Sequence, residues 1–170
     1  MNKNAKEQGS LCKISIPTAD GVFTAHYSEN GLAGLDFPKV GRAGLPLGQR
    51  VPTAIRAWHC ATESALKNIL AGKSPKQFPP FDLSDGTEFQ QSVWCELQKI
   101  SLGQTKSYGD IARLIRKPKA VRAVGGACGA NPIPVLIPCH RVLAANGKLG
   151  GFSGGLDWKR KLLARENINF

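Results

Sequence analysis

The chain has 170 residues, a mass of 18.2 kDa and 42% hydrophobic residues, enough for one ordinary domain or two small ones with a packed core. No apolar run approaches the ~20 residues that cross a bilayer, and residues 1–10 are polar, so membrane insertion and a signal peptide are not expected. The sequence therefore predicts a cytoplasmic protein, or a nuclear one in a eukaryote. A formal net charge of +11 indicates a polyanionic partner.

The N-terminal half predicts a small sheet. Loosely alternating apolar residues predict three strands, over 11–16, 22–27 and 32–37. The residues Glu29-Asn30-Gly31 predict the turn between the second and third strands. This sheet is expected to form a scaffold rather than the reactive part of the chain.

A single helix and a linker follow the sheet. Apolar residues at helical spacing predict a helix that begins after Pro52 and ends at Gly72. Three prolines between residues 75 and 80 can continue neither a helix nor a central strand, so residues 73–86 are predicted to be a linker. We place the domain boundary between residues 80 and 81.

The C-terminal half predicts mostly helices. The spacings of Thr87 with Gln90 and of Ser107 with Asp110 are typical of capping boxes at helix starts. The later elements are predicted in chain order as a helix over 119–128, a buried strand-like run at 135–137, a turn at 146–147 and a helix over 156–166. The fold class is therefore α+β (α/β with two domains), with a small sheet-plus-helix domain over 1–80 and a mostly helical domain with a helix-turn-helix over 81–170.

The predicted helix pair around Pro118 is strongly basic. Residues 106–122 carry six Lys or Arg and one acid, Asp110, which suits a surface that contacts phosphates. A solvated helical hairpin without a partner would show the same charge pattern. Gly125, Gly126 and Gly129 each cost a helix ~1 kcal/mol relative to Ala, which suggests that another helix or a nucleic acid approaches that backbone closely.

The five cysteines show no Cys-x-x-Cys spacing, and their number is odd; they are Cys12, Cys60, Cys95, Cys128 and Cys139. This pattern argues against a disulfide framework or a four-cysteine zinc site, and we predict no metal and no cofactor. Cys139 differs from the others because it ends a rigid apolar run and precedes His140 and Arg141, which favour the thiolate. It could instead be a small apolar residue at a strand end.

The stretch Ile133 to Arg141, which ends in Pro-Cys-His-Arg, resembles the active-site signature of the O6-alkylguanine-DNA alkyltransferases, the methylated-DNA–protein-cysteine methyltransferases. Further segments agree with this family in order and spacing over residues 85–168. They are Phe89–Trp94, Ser107–Ala112, Ala120–Ala127, Asn131-Pro132 and Phe152–Gly155.

The resemblance implies irreversible, stoichiometric transfer of the alkyl group from O6-alkylguanine, and from O4-alkylthymine as an extension, to Cys139. It implies that His140 takes the thiol proton through a water, that Glu166 orients His140, and that Asn131 braces the adjacent turn. Tyr108 would donate a proton to the guanine ring with support from Lys159. The implied substrate pocket consists of Tyr108, Val142, Ser153 and Gly154.

The resemblance also implies a partner, double-stranded DNA that carries the lesion, bound by a monomer from the minor-groove side with the damaged nucleotide flipped out. Arg122 would fill the vacated stack. The implied DNA-binding residues are Tyr108, Arg122, Ala123, Gly125, Gly126, Ala127 and Cys128. For Cys128, packing inside the protein is an alternative to contact with the groove.

Two other functions are compatible with the residues. One is a helix-turn-helix protein that binds lesions without reacting, with Cys139 silent. The other is a thiol hydrolase that uses Cys139 and His140, which would leave the basic helix pair without a purpose.

Overall fold

The structure is a computed structural model that describes residues 12–39 and 48–169. Its N-terminal part is an antiparallel sheet in the order β1-β2-β3, formed by Cys12–Thr18, Gly21–Tyr27 and Leu32–Asp36. The three strands lie within two residues of their predicted bounds, and the predicted turn joins β2 to β3. Alternate side chains of β2 point into the core, which is the pattern of a sheet with one buried face.

The predicted N-terminal helix is confirmed. A 3-10 turn at Thr53–Ile55 leads into α1, Arg56–Leu70. Gly72 follows with a φ of +68°, in the left-handed region that favours glycine after a helix. A Cβ at Gly72 would lie 2.3 Å from the carbonyl oxygen of Arg165, so only glycine lets the end of α1 approach the C-terminal part of the chain this closely.

The predicted linker forms no helix over residues 73–86, and its last part runs along the edge of the sheet. The Leu32 N–H donates to the Pro80 carbonyl at 2.8 Å, and the Asp82 N–H donates to the Leu32 carbonyl at 2.8 Å. The Ser28 hydroxyl also donates to the Asp82 carboxylate. The connection is thus held against β3, while the domain division at residues 80 and 81 stays a prediction.

The helices of the C-terminal half are α2 (Glu88–Gln98), α3 (Tyr108–Leu114), α4 (Val121–Gly129) and α5 (Leu156–Arg165). Both predicted capping boxes are present at the starts of α2 and α3. The third helix ends before Pro118 because Arg116 adopts a φ of +59° and turns the chain towards α4. Among the described residues, no helix is long and apolar enough to cross a membrane.

The apolar run at 135–137 is buried, as predicted, but the prediction of a strand-like conformation is wrong. Val135 has a φ of +74°, and the chain folds back there in a tight turn. Pro134 and Pro138 lack the N–H groups that a strand ladder requires, which explains the difference. The turn delivers the chain into a short 3-10 helix, Cys139–Arg141, and then into β5 (Val142–Leu143), which pairs in parallel with β4 (Lys106–Ser107).

An aromatic cluster joins the sheet to the C-terminal half. The ring of Phe23 lies 5.6 Å from Trp158, and the ring of Phe37 lies 5.0 Å from Trp158 and 5.7 Å from Phe152, measured between centroids. These separations are typical of favourable aromatic packing. The sheet therefore supports both α5 and the loop that precedes it.

Candidate active site and nucleic-acid interface

Cys139 lies in the interior, where only 3% of its surface is exposed. The side-chain amide of Asn131 donates to its sulfur at 3.1 Å and to the carbonyl of Ile137 at 2.8 Å. The amide oxygen of Asn131 accepts from the Ile133 N–H at 3.0 Å. Asn131 thus fixes both the turn and the thiol, which is the bracing position predicted for it.

The protonation state of Cys139 differs from the prediction. Burial raises the pKa of the thiol to about 11, and the hydrogen bond from Asn131 and the charge of Lys159 lower it only in part. The adjacent Arg141 was expected to favour the thiolate, but its guanidinium binds Glu166 instead. The resting thiol is therefore protonated at neutral pH, and its reaction requires a base.

His140, the next residue in the chain, is the predicted base. Its Nε2 lies 2.9 Å from Oε1 of Glu166, and both side chains are buried. Its Nδ1 is buried and has no hydrogen-bond partner among the described residues. Burial lowers the pKa of His140, although Glu166 acts in the opposite direction, so the ring is neutral with Nδ1 free to accept a proton.

Arg141 has a role that the sequence did not indicate. Its Nε and Nη2 donate to the two oxygens of Glu166 at 2.9 Å each, and its Nη1 donates to the Ile100 carbonyl at 2.6 Å. Desolvation raises the pKa of Glu166, but the hydrogen bonds from His140 and Arg141 outweigh it and hold the pKa at about 2. Glu166 therefore stays ionised behind His140. Arg141 and Glu166 are 25 positions apart in the sequence, and no motif in the chain indicated this pair.

Tyr108 and Lys159 flank a loop near the thiol. Lys159 is fully buried, and its ammonium group donates to the carbonyls of Val142 at 2.7 Å and Gly151 at 3.3 Å. Tyr108 is half-buried against the same loop, since a Cβ at Gly150 would lie 2.7 Å from its hydroxyl oxygen. Lys159 therefore supports Tyr108 through the loop backbone. Desolvation is the largest influence on Tyr108 and raises its pKa, so the phenol keeps its proton.

The other predicted pocket residues lie around this loop. Ser153 is exposed, and the neighbouring Phe152 ring packs edge-on against His140 with 6.4 Å between centroids. Val142 is fully buried, and its carbonyl holds Lys159. Gly154 faces the N-terminal half, because a Cβ there would lie 2.5 Å from the ring of Phe37. Contact of these residues with a substrate stays a prediction.

The outer face of α4 carries most of the predicted DNA-binding residues. Arg122, Ala123 and Gly126 are exposed, and Gly125 is half-buried. A Cβ at Gly125 or Gly126 would meet no described atom within 4 Å, so packing against another described helix does not explain these glycines. Of the two explanations for them, close approach of a ligand is the one that the structure favours.

Ala127 and Cys128 are a correction to the predicted interface. Both are buried on the inner face of α4, where they cannot reach a ligand bound to the outer face. The indole of Trp94 donates to the Ala127 carbonyl at 2.8 Å and attaches α4 to α2. Burial raises the pKa of Cys128 to about 12, which fits the alternative of packing. Nothing in the sequence had indicated that Trp94 attaches α4 to α2.

The arrangement combines a buried thiol, a neutral imidazole and an ionised carboxylate within a helix-turn-helix domain. A thiol with a base and an orienting acid can act as a nucleophile without any metal ligand. Within residues 12–39 and 48–169, no group of three His, Cys, Asp or Glu side chains could hold a metal ion. The fold and the site thus define the class of helix-turn-helix domains that enclose a buried cysteine, a histidine and a carboxylate.

Comparisons with known proteins agree with this class. The family profile described as "6-O-methylguanine DNA methyltransferase, DNA binding domain" matches residues 88–168. The methylated-DNA–protein-cysteine methyltransferase of Methanosarcina mazei is 56% identical over 84 residues, 49% of this chain and 53% of that protein. The inducible one of Bacillus subtilis is 52% identical over 101 residues, 59% of this chain and 56% of that protein. The chain spans about half the length of these curated relatives.

Among solved structures, the Mycobacterium tuberculosis O6-methylguanine methyltransferase is 36% identical, covers 91% of both chains and superposes with a TM-score of 0.71. The same organism's OGT in complex with DNA superposes with a TM-score of 0.74 at the same identity and coverage. The chain therefore belongs to the O6-methylguanine-DNA methyltransferase family.

Proposed function

We propose that this protein repairs DNA by direct reversal, moving the alkyl group of O6-alkylguanine in duplex DNA irreversibly onto Cys139. It would act as a methylated-DNA–[protein]-cysteine S-methyltransferase, and each molecule would perform the transfer once. The proposal rests on one observation, a set of four connected buried side chains in a helix-turn-helix domain. Asn131 is hydrogen-bonded to Cys139, and the next residue, His140, is hydrogen-bonded to Glu166. The names of the relatives and the M. tuberculosis complex with DNA support the substrate and the partner. The cytoplasm, or the nucleus of a eukaryote, is the compartment we propose.

The proposed reaction begins with a proton transfer. The thiol proton of Cys139 passes through a water to Nδ1 of His140, the lone pair that no described group engages. Nε2–H of the resulting imidazolium keeps its hydrogen bond to ionised Glu166, which stabilises the positive charge. This step is necessary because the pKa of Cys139 lies well above neutral pH.

The alkyl transfer is an in-line displacement. The sulfur lone pair forms a bond to the alkyl carbon, and the carbon–oxygen bond breaks with its electron pair going to the guanine oxygen. The Tyr108 hydroxyl, which keeps its proton, donates to the ring and so stabilises the leaving purine. The proton taken from the thiol then passes from the His140 imidazolium through water to the departing guanine anion, so the products are S-alkylcysteine and neutral guanine, with His140 neutral again. Nothing in the reaction removes the alkyl group from sulfur, which limits each molecule to one lesion.

The proposed mode of DNA binding places the outer face of α4 in the minor groove. Gly125 and Gly126 leave the helix backbone open to close approach by the sugar–phosphate walls. The thiolate has no in-line path to a base inside the stack, so the nucleotide must flip out. Arg122 is exposed on this face, and we expect its side chain to fill the gap that the flipped nucleotide leaves.

The test is the mass of the intact protein and of its peptides after incubation with a duplex that contains one O6-methylguanine. We expect a gain of one methyl group on the peptide with Cys139, stopping at one equivalent. The Cys139→Ser variant should bind the same duplex with unchanged affinity and gain no mass. The Cys95→Ser variant is the control, since Cys95 is an exposed thiol on α2 and should leave the transfer intact.

Binding of the duplex without any gain in mass would instead identify a lesion-binding protein with a silent Cys139. Methylation of the Cys139→Ser variant at the same rate as the unaltered protein would show that the nucleophile is another residue.

A further inference from the structure

The orienting carboxylate, Glu166, sits on an end of the fold that needs external support. It is the C-cap of α5, and the next residue, Asn167, leaves the helix with a φ of +58°. The Glu166 N–H donates to the Leu162 carbonyl at 3.2 Å, as the last turn of the helix. Helix ends fray, so the position of Glu166 depends on the contacts that hold the last turn of α5.

Asp20 provides such a tie from the opposite end of the sequence. It lies in the β1–β2 turn, and its two oxygens accept from Nη2 and Nη1 of Arg165 at 2.8 and 2.7 Å. The Lys161 ammonium group also lies 2.6 Å from Oδ1 of Asp20. Only 8% of the Asp20 side chain is exposed, so water screens these ion pairs weakly.

The turn that carries Asp20 is itself rigid. The hydroxyl of Thr18 donates to the Gly21 carbonyl at 2.7 Å and accepts from the Asp20 N–H at 3.1 Å. Gly21 has a φ of +116°, which favours glycine and tightens the hairpin. The carboxylate is therefore presented to Arg165 from a fixed position on the sheet.

A second contact acts on the same turn of α5. The carbonyl of Arg165 lies against Gly72 at the end of α1, where no side chain larger than hydrogen fits. The backbone immediately before Glu166 is thus held from one side by α1, and the side chain of Arg165 is held from another side by Asp20.

We propose that Asp20 is a positioning residue for alkyl transfer, acting through Arg165 to keep Glu166 aligned with His140. The chain of contacts runs from Asp20 to Arg165, across one peptide bond to Glu166, and then to His140 beside the thiol. This inference rests on the proposed function for its rate measurement, but the alignment of His140 can be measured without it. It gives the N-terminal half a part in the reaction beyond that of a scaffold.

The test compares Asp20→Asn with Asp20→Glu. Asn keeps the shape of the side chain and loses its charge, whereas Glu keeps the charge. In Asp20→Asn we expect the maximal transfer rate at saturating duplex to fall about tenfold, since small misplacements of reacting groups carry costs of this order. The dissociation constant for duplex DNA should change less than twofold, and Asp20→Glu should recover most of the rate.

The second readout is the NMR signal of the His140 ring proton on Nε2, which the hydrogen bond to Glu166 protects. We expect this proton to exchange with water faster in Asp20→Asn, while the ring signals of His26 and His59 stay unchanged. Two control variants accompany the measurement. Asp157→Asn removes an exposed ion pair with Arg160 from the same helix, and Ile16→Val lowers the stability of the sheet by removing one buried methylene group while leaving Asp20 unchanged.

The outcomes separate the two proposals. The Asp20→Asn and Ile16→Val variants are compared at an equal loss of thermal stability. If they then have the same transfer rate and the same rate of His140 proton exchange, Asp20 is only a structural residue and the inference is wrong. A fall in rate with unchanged His140 exchange also overturns it, because the effect would not pass through Glu166. If the unaltered protein transfers no alkyl group, the proposed function fails, and the His140 signal still decides whether Asp20 aligns it.

Discussion

At the scale of single residues, Glu166 accepts hydrogen bonds from the Gly103 N–H and from two side chains, Arg141 and His140, which have different tasks. Arg141 donates to both of its oxygens and keeps it ionised, while His140 uses one of the same oxygens. A carboxylate that only oriented the imidazole could become protonated in this buried place, because desolvation alone raises its pKa. Arg141 prevents that, so a negative charge is always present to stabilise the imidazolium.

Replacing Glu166 by Gln tests this arrangement. We expect the transfer rate per folded molecule to fall at least tenfold, as is typical when the group behind a reactive imidazole is removed. The free energy of unfolding should fall by about 3–5 kcal/mol, because Arg141 is left as a buried charge without its partner. Rapid-quench transfer assays and urea unfolding measure the two effects.

The matched control for this variant is Glu63→Gln, which removes an exposed ion pair with Lys67 on α1. Such pairs contribute at most about 1 kcal/mol, and the transfer rate should not change. A Glu166→Gln protein that transfers as fast as the unaltered one would remove Glu166 from the reaction.

Arg122 can be tested separately from the chemistry. The Arg122→Ala variant should react far more slowly with O6-methylguanine in a duplex, yet at nearly the same rate with the free O6-methylguanine base, because only the duplex requires a flipped nucleotide. Lys119→Ala is the control, as a phosphate contact in the same basic region should weaken duplex binding without this selectivity. Equal losses of Arg122→Ala on the two substrates would contradict the role of a stack filler.

At the scale of elements, the helix-turn-helix shows where residue patterns are informative. The capping boxes at Thr87 and Ser107 predicted the starts of α2 and α3, because a capping box is a local interaction of four residues. The prediction of a strand-like conformation at 135–137 was wrong because it depended on burial and not on a local interaction. Burial of three apolar side chains is compatible with several backbone shapes, and the flanking prolines exclude the one that the pattern suggested.

The glycines of α4 give an unusual prediction for stability. Gly125→Ala should raise the free energy of unfolding by about 1 kcal/mol, because Ala is the better helix former and its Cβ meets no described atom. The same change should weaken binding to duplex DNA severalfold, since the methyl group occupies space that the groove needs. Thermal unfolding and fluorescence anisotropy measure these effects.

Gly129→Ala is the control for that experiment. It is the last residue of the same helix, its Cβ would also meet no described atom, and it is not among the DNA-binding residues that the resemblance implies. It should stabilise the protein without weakening DNA binding. If Gly125→Ala bound duplex DNA as tightly as the unaltered protein, the outer face of α4 would not lie in the groove.

At the scale of the whole molecule, the two halves depend on each other through charges as well as through the aromatic cluster. The hydrogen bond from Arg165 is the largest influence on Asp20 and holds its pKa at about 2, below the ordinary 3.8. Because the folded-state pKa is depressed, the ionised carboxylate stabilises the folded protein above about pH 4. That stabilisation is lost as the pH falls through about 2.

This gives a prediction about acid unfolding. At neutral pH the Asp20→Asn variant should be less stable than the unaltered protein by about 2 kcal/mol. The difference should shrink steadily as the pH is lowered from about 4 towards 2, as followed by urea unfolding at several pH values. Asp157→Asn should show a small difference at every pH, because its ion pair is exposed. A difference for Asp20→Asn that did not shrink would show that the charge of Asp20 is not what joins the halves.

The amino-acid sequence by itself determined the three strands of the N-terminal sheet, the starts of α2 and α3, the helix-turn-helix and the family, because these depend on local spacing and on motifs of a few adjacent residues. The segment Pro138–Arg141 was enough to predict Cys139 as the nucleophile and His140 as its base. Glu166 was found only through the resemblance, since nothing in the sequence near it differs from an ordinary surface acid.

The tertiary structure decided everything that depends on contacts between distant parts of the chain. It showed that Cys139 is protonated at rest, because burial outweighs the nearby positive charges. It assigned Arg141 to Glu166 rather than to the thiol, and it joined Asp20 to Arg165 across 145 residues. Burial and ion pairing are properties of the folded arrangement, so no spacing along the chain encodes them.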